Sequence, residues 1–178
     1  MKKKSQIVSD NFSANLNRVL RFLSFRPRSE KEIRDYLIKK IKNPSNSVYR
    51  QKSKIKTDEK IIESIISKLK EQKFINDTEF AQWWIEQRTK VKPRASRLIK
   101  FELKQKGIAK ELIDEVFKDK DFETVSDFDK AIKLAQKRMV RLKNETPKKV
   151  YEKLGRFLAS KGFDYDIIKK VIDQVLEK

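Results

Sequence analysis

The chain is 178 residues long, with 45 Lys and Arg against 26 Asp and Glu, a formal net charge of +19, and neither cysteine nor histidine. Those two absences exclude disulfide staples and thiolate chemistry and remove the commonest general base, transition-metal ligand and pH switch. Three glycines, four prolines and 40% charged residues favour helices over strands, and no apolar run reaches the roughly 18 residues of a membrane span.

Met1-Lys2-Lys3-Lys4 opens residues 1–10, read as a basic tail ahead of the folded body. From there apolar residues recur at helical spacing and predict nine helices. Their stripes are Phe12–Leu23, Ile33–Ile41, Ile61–Leu69, Phe80–Ile85, Ile99–Leu103, Ile108–Val116, Phe128–Met139, Val150–Leu158 and Phe163–Val175. Ser29 with Glu32 forms a capping box, Asp77, Ser126 and Asp164 are N-cap residues, and Thr146-Pro147 puts proline at a first helical position. Gly107 and Gly162 each follow a lysine and precede a large apolar residue, the pattern of a glycine C-cap. Gly155 falls inside the eighth helix, where close approach of a neighbouring helix is expected.

The helices repeat in threes. Pro27 and Pro93 stand 66 apart, Pro93 and Pro147 stand 54 apart, and the Lys-Gly steps at Gly107 and Gly162 stand 55 apart. Ile61-Ile62 and Leu112-Ile113 stand 51 apart, so the first unit carries extra chain between its second and third helices. Residues 43–57 are polar and are read as an exposed basic loop. The expected organisation is an all-α fold: a 1–10 tail, repeat 1 over 11–75, repeat 2 over 76–120 and repeat 3 over 121–178. These helix-turn-helix-like units are too short to bury a core alone and are expected to stack into an elongated curved array.

With these segments in place the chain resembles the RecX family of recombination regulators over residues 12–176. The likeness rests on RFLSFRPRSEKEIRDYL (21–37), LKEQKFINDTEFAQWWIEQR (69–88), FELKQKGI (101–108) and LGRFLASKGFDYDII (154–168), in that order. The chain departs from the family pattern at Asn76, where an aspartate is usual, and at Lys92, where a glycine is usual. The resemblance implies a modulator of RecA recombinase. Its partners would be RecA, the RecA nucleoprotein filament, and single- and double-stranded DNA. It would inhibit filament growth, ATP hydrolysis and strand exchange. Composition adds the expectation of a cytoplasmic protein, read as a monomer, without cofactor or catalytic site.

A net charge of this size also points, by itself, to a polyanionic partner. The candidate contacts are Arg88, Lys90, Lys92, Arg94, Arg97, Lys100 and Lys104 in the second unit and Arg138, Arg141, Lys148, Lys149 and Arg156 in the third. Arg97, Lys100 and Lys104 share one helix face, turned away from Ile99 and Leu103, which either meets phosphates or is merely solvated. Of the adjacent Trp83 and Trp84, one is expected in the core and the other, Trp83, partly buried or free to stack. Asp119, Asp121, Glu123 and Asp127 are read as capping and solvating the join between units rather than holding a metal. The competing reading is a stand-alone DNA-binding transcription or architectural protein. Against it, no helix carries a dense row of base-reading side chains.

Overall fold

The computed structural model describes residues 2–42, 52–118 and 126–177, with side chains described over 11–41, 58–118 and 126–177. Every regular element among them is helical, and they fall into two compact units, Met1–Phe80 and Ala81–Lys178.

In the first unit α1 (Lys2–Leu23), α2 (Glu30–Lys42) and α3 (Lys52–Glu71) pack on one another. Val19, Ile33, Leu37, Ile65 and Leu69 are wholly excluded from solvent there. Burying each such side chain contributes about 1.5–3 kcal/mol, which is what holds so polar a chain together. Two expectations are corrected here. The 1–10 tail is helical from Lys2 onward. Residues 52–57 of the expected loop belong to α3, while 43–51 lie outside the described residues. Both segments lack proline and glycine, and once the apolar stripe has nucleated a helix, each further residue adds one hydrogen bond without paying for nucleation again. The extra length of repeat 1 is therefore partly helix: α3 has 20 residues where its counterpart in repeat 2 has 9.

The helix α4 (Asp77–Glu86) continues through a π-helical turn, Gln87–Val91, closed by Lys92 N–H donating to the Gln87 carbonyl at 2.9 Å. Lys92 sits at φ −128°, which any residue adopts, so this turn needs no glycine. Then come α5 (Ser96–Gln105), α6 (Lys110–Lys118), α7 (Asp127–Met139), α8 (Pro147–Ser160) and α9 (Tyr165–Leu176). The last three pack together around Ala131, Ala135, Leu154, Leu158, Val171 and Ile172. Pro147 is itself the first residue of α8, whereas Pro27 and Pro93 stand ahead of α2 and α5, so the three prolines are not equivalent positions. The helices differ in length too, α8 having 14 residues and α5 having 10.

Caps mark the repeat. Ser29 Oγ accepts from Glu32 N–H at 3.2 Å and Glu32 Oε2 accepts from Ser29 N–H at 3.4 Å, the predicted capping box. Ser126 Oγ accepts from Asp129 N–H at 3.1 Å. Gly107 and Gly162 close α5 and α8 at φ 83° and 88°. A Cβ on Gly162 would lie 2.6 Å from that of Leu98, so this turn of repeat 3 is fitted against α5 of repeat 2. Gly155 is different: an added Cβ meets only Ile172 Cδ1 at 3.9 Å, an ordinary contact, so no backbone approach demands glycine there.

Two aspartates depart from expectation in the same way. Asn76, not Asp77, caps α4, accepting from Thr78 N–H at 2.9 Å. Asp77 instead accepts from Glu30 N–H, the first residue of α2, at 2.9 Å. Asp127 likewise leaves its own helix to Ser126 and accepts from Ser96 N–H, the first residue of α5, at 3.0 Å and from Ser96 Oγ at 2.8 Å. In both cases the residue opening the first helix of one repeat caps the second helix of the repeat before it. Ala95, at the cap position of α5, has no side-chain acceptor, so Asp127 supplies the missing one. Asp164 occupies the cap position of α9 without a capping bond, because its carboxylate pairs with Arg97 at 3.0 Å.

The two aspartates are neutralised differently. Lys130, 3% exposed, places Nζ 2.8 Å from Asp127 Oδ1 and 3.2 Å from Ser96 Oγ. Asp77 has no such buried cation; burial first, then the nearby Glu30 carboxylate, raises its pKa above the ordinary range, against the opposing pull of Glu30 N–H and Lys70. The folded chain therefore holds the Asp77 proton at pH values where the unfolded chain has released it, and this site costs stability as pH rises from about 4. Asp77→Asn keeps the acceptor and is expected to hold or raise stability at pH 7 and to flatten its pH dependence. Asp127→Asn strands a buried ammonium and is expected to cost about 3–5 kcal/mol. Urea unfolding of both variants at pH 4 and pH 7 checks the contrast.

Candidate functional site

The second unit's bases divide on Glu102, a carboxylate only 11% exposed. Its Oε2 accepts from Trp84 Nε1 at 2.9 Å and from Arg88 Nε at 2.7 Å, while Oε1 accepts from Arg94. Trp84 is in the core, as expected, with the Arg88 guanidinium 4.2 Å and the Lys106 ammonium 4.3 Å from its ring centroid. Trp83 beside it is half-buried. Burial, then the neighbouring Arg88 charge, lowers the Arg94 pKa, yet a guanidinium remains charged at any physiological pH. Arg88 and Arg94 thus tie α4 and the π-helical turn to α5. Sequence reading missed Glu102 as their common partner because these residues are far apart along the chain.

The remaining second-unit candidates sit nearer the solvent. On α5, Ile99 and Leu103 are fully buried, and Arg97, Lys100 and Lys104 point away from them, as their spacing predicted. Arg97 pairs with Asp164 and donates to the Gly162 carbonyl at 3.3 Å. Lys100 pairs with Asp114 at 2.9 Å over the Phe117 ring, and Lys90 with Glu86 at 2.8 Å. Lys92 and Lys104 are exposed and form no ion pair among the described residues.

In the third repeat the sequence-predicted bases do come together. Arg138, Arg141 and Arg156, with Lys153, line a cleft of about 560 Å³ floored by Leu142 and Phe157. One carboxylate lines it, Glu145, which pairs with Lys153; Lys153 first, then Lys149, hold that carboxyl below its ordinary pKa. Arg138 stands 5.4 Å from the Phe157 ring centroid, and its Nε is buried without a hydrogen-bond partner. Lys148 and Lys149 are exposed in the first turn of α8. Lys153 is the member sequence reading missed; it lies three residues before Arg156 on the same helix face.

A second basic cluster, also missed, belongs to the first unit. Arg18, Arg21 and Lys40 line a cleft with Phe22, Phe25 and Tyr36. Phe22 and Tyr36 stack with centroids 4.3 Å apart and planes 8° from parallel, and Phe25 is 77% exposed. The legible signal was the Arg18, Arg21, Phe22, Phe25 spacing, one face of a helix. The Arg-x-Arg-Ser entry next to it is structural, since Arg26 pairs with Glu32 at 2.7 Å and Arg28 lies 4.0 Å from the same carboxylate.

Among the described residues, no three carboxylates gather as a metal site would need, and no helix is long and apolar enough to cross a membrane. Asp119, Asp121 and Glu123 lie outside them; Asp127 serves as the cap described above.

Such a fold, with short helices in threes and basic clefts, is that of an all-α helical-repeat protein. Family models described as the first, second and third three-helix domains of RecX match residues 16–41, 76–116 and 126–172. The regulatory protein RecX of Clostridioides difficile is 34% identical over 160 residues, 90% of this chain and 67% of that protein. That of Streptococcus mutans is 32% identical over 155 residues, 86% of this chain but only 52% of that longer protein. The crystal structure of RecX from Lactobacillus salivarius superposes with a TM-score of 0.64 at 25% identity, covering 96% of this chain and 99% of that one. The chain belongs to the RecX family of regulatory proteins.

If Glu102 organises the second unit, Glu102→Ala is expected to destabilise the protein by about 3 kcal/mol or more, since two partly buried guanidinium groups lose their counter-ion. Lys92→Ala and Lys104→Ala are expected to fall within about 0.5 kcal/mol of wild type. Denaturant unfolding compares the three.

Proposed function

We propose that this chain regulates RecA recombinase by binding it and its filament on single-stranded DNA, and that it restrains filament growth, ATP hydrolysis and strand exchange. The family supports a regulatory role. The observation that carries the binding surface is the third-repeat cleft, where three arginines and a lysine meet a single carboxylate. Such an excess of base, desolvated on one side by Leu142 and Phe157, suits phosphates or an acidic protein surface.

In this reading the chain works as repeats 11–75, 76–120 and 121–178, in the cytoplasm, as a monomer and without a reaction of its own. Arg138, Arg141, Lys148, Lys149 and Arg156 make contact in repeat 3, and Lys90, Lys92, Arg97, Lys100 and Lys104 in repeat 2. Arg88 and Arg94 shape the surface through Glu102 rather than meeting the partner alone.

Titration of the full chain into a RecA ATPase assay on single-stranded DNA tests this. Wild type is expected to inhibit hydrolysis, and Arg141→Glu with Arg156→Glu to need at least about tenfold more protein for the same inhibition, with unchanged helix content by circular dichroism. Undiminished hydrolysis at saturating wild-type protein contradicts the reading, and sequence-specific duplex binding in its place points to a stand-alone DNA-binding protein.

A further inference from the structure

We propose that the aromatic-basic cluster of the first repeat is a stacking site for single-stranded nucleic acid, with Phe25 as the platform for a base. This inference stands on the first unit alone and not on the RecA reading above.

Three observations carry it. First, Phe25 is 77% exposed just past the end of α1, on a helical face continued from Arg18, Arg21 and Phe22. An aromatic ring that exposed gains nothing from the core and is held out by its neighbours. The Phe22–Tyr36 stack underneath joins α1 to α2, with the Arg28 guanidinium 3.8 Å from the Phe22 centroid and the Lys40 ammonium 5.7 Å from that of Tyr36.

Second, the cleft on one side of Phe25 is basic. Among the described residues Arg18, Arg21 and Lys40 line it, and no carboxylate does. Arg18 donates only to the neutral Asn15 side chain, at 3.1 Å. On α2, Asp35 is already engaged by Lys31 at 2.7 Å and Glu30 by Arg34 and Lys70. Three cations with no counter-ion among the described residues, beside an exposed ring, match a phosphate backbone.

Third, a second groove that Phe25 also lines, about 690 Å³ in volume, is mostly apolar: Leu20, Leu23, Pro27 and Phe74, the last 53% exposed, share it with Arg26, Arg28 and Glu79, an acid that Arg26 and Arg28 offset. A strand crossing the Phe25 ridge would lay phosphates along the basic cleft and turn bases toward the apolar one. Only a single strand offers unstacked base faces to such a surface, and stacking on an aromatic ring tolerates any sequence. A duplex presents its phosphates but keeps its base faces inside.

The test is fluorescence anisotropy of a labelled 20-nucleotide oligo-dT, and of an abasic strand of equal length, with the full chain across a salt series. Wild type is expected to prefer oligo-dT to the abasic strand, Phe25→Ala to lose roughly tenfold in affinity for oligo-dT together with that preference, and Phe25→Trp to retain both. Arg21→Ala is expected to lower the slope of log affinity against log salt by about 0.7 while keeping the preference for bases. Equal binding of the two strands by wild type, or oligo-dT binding by Phe25→Ala indistinguishable from wild type, overturns the proposal. Loss of binding in Phe25→Trp as well as Phe25→Ala also overturns it, because the effect then follows from disturbed packing and not from stacking. RecA is absent from these measurements, so their outcome is independent of the ATPase assay.

Discussion

The first turn of every α-helix leaves backbone N–H groups that no residue of that helix can satisfy, and a stack of short helices buries many such ends against its neighbours. This chain meets that constraint with an aspartate from the next repeat. Asp77 reaches back to Glu30 across 47 residues and Asp127 to Ser96 across 31. Each bond fixes the start of one helix and, in the same contact, the seat of the helix that follows. In the last repeat α8 starts with Pro147, which has no N–H of its own, so no acceptor is needed at that first residue.

The Asp127 contact also sets the fate of charge within the second unit. A carboxylate brought to a buried helix end needs a cation, and Lys130 supplies it from the next turn of α7. Nearby, Ala95 N–H donates to the Lys161 carbonyl at 3.0 Å, and Leu98 packs against Gly162, so α5 is held by α7 and by the turn leading into α9. Glu102 applies the same logic to Arg88 and Arg94. In a protein with so large an excess of base, these partly buried acids determine which of their neighbouring cations are structural. Among the cations they do not engage are those of the third-repeat cleft and those beside Phe25.

Much of the fold was legible in the sequence because it depends on local spacing. The nine apolar stripes, the Ser29–Glu32 box, the glycine caps at Gly107 and Gly162 and the burial of Trp84 all follow from residues within a turn or two of one another. What the sequence concealed is long-range or cooperative. Asp77 and Asp127 look like caps of their own helices, and only packing shows that Asn76 and Ser126 fill that position and release them. Residues 52–57 look polar enough for a loop, yet they extend a helix nucleated further along. The basic candidates were found by charge alone, and charge does not distinguish Arg94, held by Glu102, from Lys104, which meets no acid among the described residues. Phe25 was passed over because it lies beyond the end of α1, where the spacing it shares with Arg18, Arg21 and Phe22 does not read as part of a helix face.

The central claim is that a carboxylate from one repeat, neutralised by its own helix, secures the start of a helix in the repeat before. A double-mutant cycle between Asp127 and Lys130 measures it most directly. Urea unfolding would be followed for Asp127→Asn, Lys130→Met and the pair. The account predicts strong non-additivity, about 2 kcal/mol or more, with the double variant more stable than Asp127→Asn alone because no ammonium is left buried without a partner. Strictly additive effects would show that the two side chains do not act as one unit, and would contradict it.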